Sequence, residues 1–313
     1  MIQMERKMNI QPSDSSYHVP VLLQEVVEGL NIRPDGVYVD CTLGGGGHGR
    51  ALLERLGPNG RLIAFDQDAD AVQNLPADPR VQFWPQNFRH LRRFLRLGGV
   101  EQVDGVLADL GVSSHQFDEA DRGFSIRFEG PLDMRMDQRQ TLTAAEVIAQ
   151  YAESDLHRMF ERYGEVTNAR TLARVLVAQR QHLTIDTTQS LKEAIREIVK
   201  GNPSKYFAQV FQALRMEVNE EVQALQELLE QLPLVLKPGG RAAIITFHSI
   251  EDRLVKHFFK RGSFQEPDPN PFARTETVNP FEVITRKPIE PTEEEKRINS
   301  RSRSAKLRIA ERR

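Results

Sequence analysis

Three aspartates, Asp40, Asp66 and Asp109, each follow a short apolar run: VYV before the first, RLIAF before the second, VDGVLA before the third. Buried strands of an open parallel sheet end at the rim of a ligand crevice, so acids in these positions face one common space. Carboxylates placed there can accept hydrogen bonds from hydroxyls, balance a positive charge, or hold an N–H of a reacting amine. Between the first two acids stand four consecutive glycines, Gly44, Gly45, Gly46 and Gly47. Glycine tolerates φ > 0 and carries no Cβ, so the backbone N–H groups of such a turn can reach a ligand at the start of the helix that follows.

Two cofactor chemistries fit this layout. Gly44, Gly46 and Gly49 satisfy the G-x-G-x-x-G spacing of a dinucleotide site, which would serve hydride transfer. Asp40, Gly44 and Gly46 also fit the acid-then-glycines pattern of class I S-adenosylmethionine (SAM) methyltransferases, with Thr42 where another glycine often stands. In both, Asp66 is placed to accept hydrogen bonds from a ribose diol.

The elements that hold these residues are legible from periodicity. Leu22, Leu23, Val26, Val27 and Leu30 form one helical stripe ahead of the first strand, and residues 50–56 form the helix that Gly57-Pro58 stops. A second crossover helix is expected at 68–75, a third strand at 81–83 and a fourth at 103–110. Phe88, just past the third strand, suits either an adenine face or the core. Residues 118–202 carry helix patterns and no strands, including the capping box Thr143–Glu146 and the stripe Leu156, Met159, Phe160, Tyr163. A long helix at 206–232, a turn at 236–240, a fifth strand at 241–247 and a helix at 248–260 return the chain to the sheet, and strands at 281–285 and 305–310 close it. The expected fold is α/β: a doubly wound, Rossmann-like sheet (18–117 and 203–313) with a C-terminal antiparallel hairpin, an inserted all-helical subdomain (118–202) and a flexible tail (1–17).

Composition narrows the class. The 313 residues are 39% hydrophobic, enough for an ordinary core, and 42 basic against 44 acidic residues give a net charge of −2 that announces no polyanion by itself. Residues 296–313, however, hold eight Lys or Arg against one acid, Glu311. The single cysteine, Cys41, excludes an internal disulfide framework and fits a reducing compartment. The first sixteen residues lack the apolar stretch of a secretory signal, and no 18 apolar residues run together, so a cytoplasmic protein off the membrane is expected. His248, Glu251 and Asp252 have helical spacing that arises often by chance, and no metal is expected there.

Eight ordered motifs then share one resemblance: HVPVLLQEV at His18, DCTLGGGGHG at Asp40, DLGVSSHQFD at Asp109, RGFSIRFEGPLDMRMD at Arg122, FQALRMEVNEE at Phe211, LKPGGR at Leu236, FHSIEDRLVK at Phe247 and RSRSAKLRIAER at Arg301. Together they resemble the RsmH (MraW) family, whose members methylate N4 of a cytidine in bacterial small-subunit ribosomal RNA with SAM. Cys41, His115 and residues 205–210 depart from that family's usual residues. The resemblance implies that Gly46, Gly47 and His48 meet the amino-acid part of SAM, Asp66 its ribose, Phe88 the adenine neighbourhood, and Asp109 and Gln116 the sulfonium side. It also implies a ribosomal RNA partner, within a ribosomal particle, and leaves room for a homodimer. A nicotinamide-dependent oxidoreductase and a non-catalytic RNA-binding assembly factor are the competing functions.

Methylation at cytosine C5 needs a thiolate, and the only thiol lies in the cofactor turn, so nitrogen is the expected target. Asp109 is then the acceptor that orients N4, Ser113 and Ser114 hold the ring edge, and Phe124 or Phe128 stacks on a flipped base. Arg301, Arg303 and Lys306 are expected to bind RNA phosphates.

Overall fold

A computed structural model describes residues 20–265 and 278–313, so the expected tail at 1–17 and residues 266–277 of the loop before the closing strands lie outside the described residues. The strands are β1 (Val37–Asp40), β2 (Arg61–Phe65), β3 (Val81–Trp84), β4 (Val103–Asp109), β5 (Leu236–Thr246), β6 (Phe281–Val283) and β7 (Lys306–Arg312). They form one seven-stranded sheet in the order β3-β2-β1-β4-β5-β7-β6. The first five run parallel, while β7 returns antiparallel to β5 and β6 to β7. This is the Rossmann-like sheet with a C-terminal hairpin that the sequence predicts.

The helices, in chain order, are α1 (Leu23–Gly29), α2 (Gly47–Arg55), α3 (Leu91–Leu97), α4 (Ser114–Asp118), α5 (Ala144–Gln150), α6 (Glu153–Gly164), α7 (Ala169–Gln179), α8 (Thr188–Ile195), α9 (Pro203–Val218), α10 (Glu221–Val235), α11 (Ser249–Arg261) and α12 (Glu293–Ile298). Strand alternation sorts the core into two layers. Tyr38, Leu62, Leu107 and Ile245 face α1 and α2 through Val26, Leu30, Leu52 and Leu53. Val39, Ile63, Val106 and Ile244 face α3, α10 and α11 through Leu91, Leu95, Leu228, Leu232 and Phe258.

Four local departures from the expected elements have physical causes. The crossover at 68–75 is a 3-10 turn, Ala69–Asn74, because Asp66 and Asp68 each accept the N–H two residues on (2.9 and 3.1 Å) and tighten the chain. Residues 91–97, which carry the basic run RRFLRL, form α3 because Leu91 and Leu95 bury themselves one turn apart. The helix expected at 206–232 is two helices, broken where Asn219 closes α9 and Glu220 takes φ +48°. The turn expected at 236–240 lies within β5 as a bulge, where the register with β4 skips from Leu236↔Val103 to Arg241↔Gly105.

The helical lobe has its own core, with Leu132, Phe160, Leu172, Leu176 and Leu191 at its centre. It continues past residue 202, because α9 lends Tyr206, Val210, Phe211 and Leu214 to it. α6 and α9 approach so closely that a Cβ on Gly164 would meet the Gln209 carbonyl at 2.7 Å. One buried polar clamp joins this lobe to the loop after β2, and a second closes the lobe on the end of α9. Arg122 reaches Asp68 at 2.9 Å and Asp70 at 3.1 Å. Asn219 accepts from the Met136 N–H (2.7 Å) and donates to the carbonyls of Met134 (2.7 Å) and Arg215 (2.8 Å).

Asn219→Ala would strand two buried backbone groups of residues 134–136, while the Arg215 carbonyl keeps the backbone N–H of residue 219. A loss of about 2–4 kcal/mol is expected, read as a shift of the urea midpoint at unchanged slope; a midpoint equal to wild type would show that the clamp contributes nothing.

Candidate active site at the strand ends

The sheet delivers Asp40, Asp66 and Asp109 to neighbouring strand ends, since β1 lies between β2 and β4. Asp40 is fully buried; its Oδ1 accepts the Thr42 N–H at 3.0 Å and its Oδ2 has no partner. Asp66 accepts the N–H groups of Gly44 (2.8 Å) and Asp68 (2.9 Å) and so holds the glycine turn from below. The Asp109 backbone N–H donates to Thr42 Oγ1 at 2.7 Å; its carboxylate Oδ1 is buried and unpartnered, yet 24% of the side chain remains open. Among the described residues no Lys or Arg pairs with any of the three. Burial, with repulsion between neighbouring acids, raises Asp40 to about 7, Asp66 to about 6 and Asp109 to about 8.

The glycine turn is a cradle without side chains. Gly44 and Gly46 have φ of +48° and +72°, and a Cβ on Gly46 would meet the Asn74 carbonyl at 2.6 Å. Asn74 Nδ2 donates to the Gly44 carbonyl at 2.8 Å and fixes the turn from the other side. Gly46 is the N-cap of α2 and no side chain caps this helix, so its first N–H groups are free to meet an anion such as a carboxylate. A Cβ on Gly47 would strike Pro20 Cγ at 2.2 Å, so the segment leading into α1 lies directly on the cradle.

His48 fastens that segment. Its Nε2 lies 3.0 Å from the Val21 carbonyl, and burial lowers the imidazole to about 4, so the ring is neutral, Nε2–H donates to Val21, and Nδ1 is turned toward Asp109 Oδ2 at 3.7 Å. At that distance a neutral ring and an acid make no ion pair. The His48 Nε2 is thus committed to the Val21 carbonyl.

The loop after β4 is held by a capping box. Ser113 Oγ accepts the Gln116 N–H at 3.1 Å, and Gln116 Oε1 accepts the Ser113 N–H at 3.0 Å. Gln116 is buried and its Nε2 donates to Asp68 at 2.7 Å, so both ends of the amide brace the crevice wall. Ser114 and Phe88 are half-buried, Phe88 against the sheet core. Asn74, which supports the turn, carried no motif signal, while Thr42 and Arg122 lie in the quoted motifs without a role assigned to them; the structure gives Arg122 its role through the buried carboxylate of Asp68 that it meets.

Other expected contacts are placed differently. Phe124 is buried in the helical core with the Arg122 guanidinium 5.9 Å from its ring, so it has no face free for a base, whereas Phe128 is 40% exposed. The basic C-terminal residues are built into the fold, because Leu307 and Ile309 alternate into the sheet core. Arg301 is ion-paired with Asp118 and lies 5.0 Å over the Phe117 ring, Lys306 opens β7 at 3.8 Å from Asp252, and Arg303 is exposed. Glu221, His248 and Glu251 converge to within 4.8 Å, but Arg215 donates to both oxygens of Glu221 (2.8 and 2.9 Å) and already supplies a positive charge there.

The arrangement fits SAM: an uncapped helix start for its carboxylate, Asp66 for its ribose, and unpartnered buried oxygens on Asp40 and Asp109 for its positive charge. Without a cation the acids make the protein pH-sensitive. Each holds a proton more tightly folded than unfolded, where aspartate titrates near ~3.9, so this stabilisation is complete below that value and is lost as pH rises through about 7 for Asp40 and about 8 for Asp109. The ligand-free melting temperature should fall between about pH 6.5 and 9, above the range where the lowered His48 acts in the opposite sense. Asp109→Asn should flatten the upper part of that fall; a melting curve indifferent to pH in both proteins would contradict the burial of these charges.

Residues 15–313 match the MraW methylase family. The ribosomal RNA small subunit methyltransferase H of Cytophaga hutchinsonii is 54% identical over 299 residues, covering 95% of this chain and 99% of that protein. The protein of the same name from Parabacteroides distasonis is 53% identical over 304 residues, covering 96% and 99%. Among solved structures, TrmN from Thermus thermophilus aligns at a TM-score of 0.43 and 13% identity over 93% of this chain and 48% of that one, too distant to bear on the site. The match to relatives of equal length takes in the cradle, all three acids and the helical lobe alike, and the chain belongs to the MraW methylase family.

Proposed function

We propose that this SAM-dependent methyltransferase transfers a methyl group to the exocyclic N4 of a cytidine in small-subunit ribosomal RNA, within a ribosomal particle. The names of its near full-length relatives support the RNA class. Membership of a methylase family sets aside the hydride-transfer and non-catalytic readings.

The observation that carries the choice of atom is Asp109: a partly open carboxyl at the end of β4 with one oxygen unpartnered. SAM, when bound, supplies an electrophilic methyl group. The N4 lone pair is delocalised into the cytosine ring, so the amine must pyramidalise to attack in line. An acceptor that holds one N4 hydrogen favours that geometry, and positioning contributes much of the rate. Once N4 has gained the methyl and become cationic, it loses a proton readily, and a carboxylate whose acid form titrates at about 8 is a competent acceptor for it. Carbon methylation is disfavoured, because Cys41 is buried and burial pushes its thiol well above the ordinary range, away from the thiolate such chemistry needs. Ser113 and Ser114 stand at the loop where a ring edge would lie, and Phe128 is the aromatic open for stacking.

Labelled methyl transfer from saturating SAM onto small subunits lacking the modification should fall in the order wild type, Asp109→Asn, Asp109→Ala, with the alanine variant down by about 100-fold or more. Mass analysis of the nucleosides should place the label in N4-methylcytidine. An alanine variant as fast as wild type would remove Asp109 from the role, and label in a C5-methylated base would overturn the proposal.

A further inference from the structure

Exposed basic residues without an ion pair among the described residues lie outside the C-terminal run as well as within it, where Arg297 and Arg303 are exposed. Arg301 and Lys306 have acidic neighbours, whereas Arg92, Arg93 and Arg96 on α3 are exposed and have no ion pair among the described residues. The sequence run RRFLRL explains the geometry. Leu91 and Leu95 anchor one face of α3 in the sheet core, which obliges the arginines between them to face outward.

These arginines surround an open hollow of about 560 Å³, completed by Arg89, His90, Leu97, Gln231 and Leu234. Its floor is rigid. Arg89 is bound by Glu227 at 2.6 and 2.9 Å and by Glu220, and Gln231 accepts the Arg92 N–H at 2.8 Å while donating to the Arg89 carbonyl at 2.9 Å. α3 is thereby locked to α10, and the free guanidinium groups project from a fixed base. Leu97 and Leu234, 64% and 50% exposed, line its apolar side.

The hollow's first lining residue, Arg89, follows β3 closely in the chain. The chain reaches it directly from the carboxyl end of β3, and Asn87, one residue before the 3-10 turn that opens this face, donates to Gln67 Oε1 at 2.7 Å beside Asp66.

We infer that the α3–α10 hollow is a second contact for the substrate RNA, binding its phosphate backbone outside the crevice. The inference rests on the proposed RNA substrate. Three exposed guanidinium groups without ion pairs among the described residues, carried on a helix locked to α10 beside an open concavity, are complementary to successive phosphates, and Arg binds phosphate in bidentate fashion. Leu97 and Leu234 offer an apolar surface on which sugars or bases between those phosphates can rest.

The test uses the full chain carrying Arg92→Gln, Arg93→Gln and Arg96→Gln together, with wild type, on protein-free small-subunit RNA and on small subunits lacking the modification. Wild type must methylate these substrates at all, or the proposed function itself fails; the comparison below applies only once it does. The triple variant should bind SAM as wild type does and keep its kcat at saturating RNA. Its affinity for both substrates should fall about 10- to 100-fold at moderate salt, and the slope of log affinity against log salt should shrink by about 2 to 3. Unchanged RNA affinity and slope would overturn the inference. So would a loss confined to the assembled subunit, which would show that the hollow docks a ribosomal protein. Lost SAM binding or an altered melting temperature would send the test to the single substitutions, where the same salt slope should fall by about 1 each and an unchanged slope would overturn it.

Discussion

Buried negative charge at the carboxyl ends of three parallel strands is the constraint on which the rest of the structure depends. Asp40 is fully buried, Asp66 and Asp109 are half-buried, no Lys or Arg among the described residues neutralises them, and their raised pKa values of about 7, 6 and 8 express that cost. A protein selected for stability alone would pair or replace them. A ligand that brings positive charge would offset that cost, and SAM carries such charge on sulfur and on its amino group.

The surroundings keep those charges where the ligand can use them. Thr42 ties β1 to β4 by accepting the Asp109 N–H while its own N–H is held by Asp40, so the first and third acids share one support. Asp66 and Asn74 hold the glycine turn from opposite sides. His48 and Pro20 lay the leading segment over that turn, and Leu22 is in turn held from the far end of the chain by the Glu295 carboxylate at 2.8 Å. The helical lobe is joined to the same region through Arg122 on Asp68, so the lobe and the loop after β4, held through Gln116, share a carboxylate.

Much of this was legible in the sequence because it rests on short-range rules. Apolar runs ending in acids gave the strand ends, the glycines gave the cradle, and helical stripes gave the lobe. What was hidden depends on contacts far apart in sequence. The break at Asn219 is set by the backbone of Met134 and Met136, more than 80 residues earlier, and no local pattern announces it. Phe124 reads as a loop aromatic fit for stacking until the helical core closes around it. The basic terminus reads both as a closing strand and as a phosphate-binding run until Arg301 and Lys306 are seen beside Asp118 and Asp252, while the short helix α3 was not anticipated, and nothing in its sequence says which acids will be near.

The most direct measurement of the central claim is the number of protons released when SAM binds, obtained by calorimetry at pH 7 in buffers of different ionisation enthalpy. If a cationic ligand ionises acids that titrate at about 6, 7 and 8, between about one and two protons should leave per SAM bound, and fewer in Asp109→Asn. A binding enthalpy that is the same in every buffer would mean that no proton leaves, and would contradict the account.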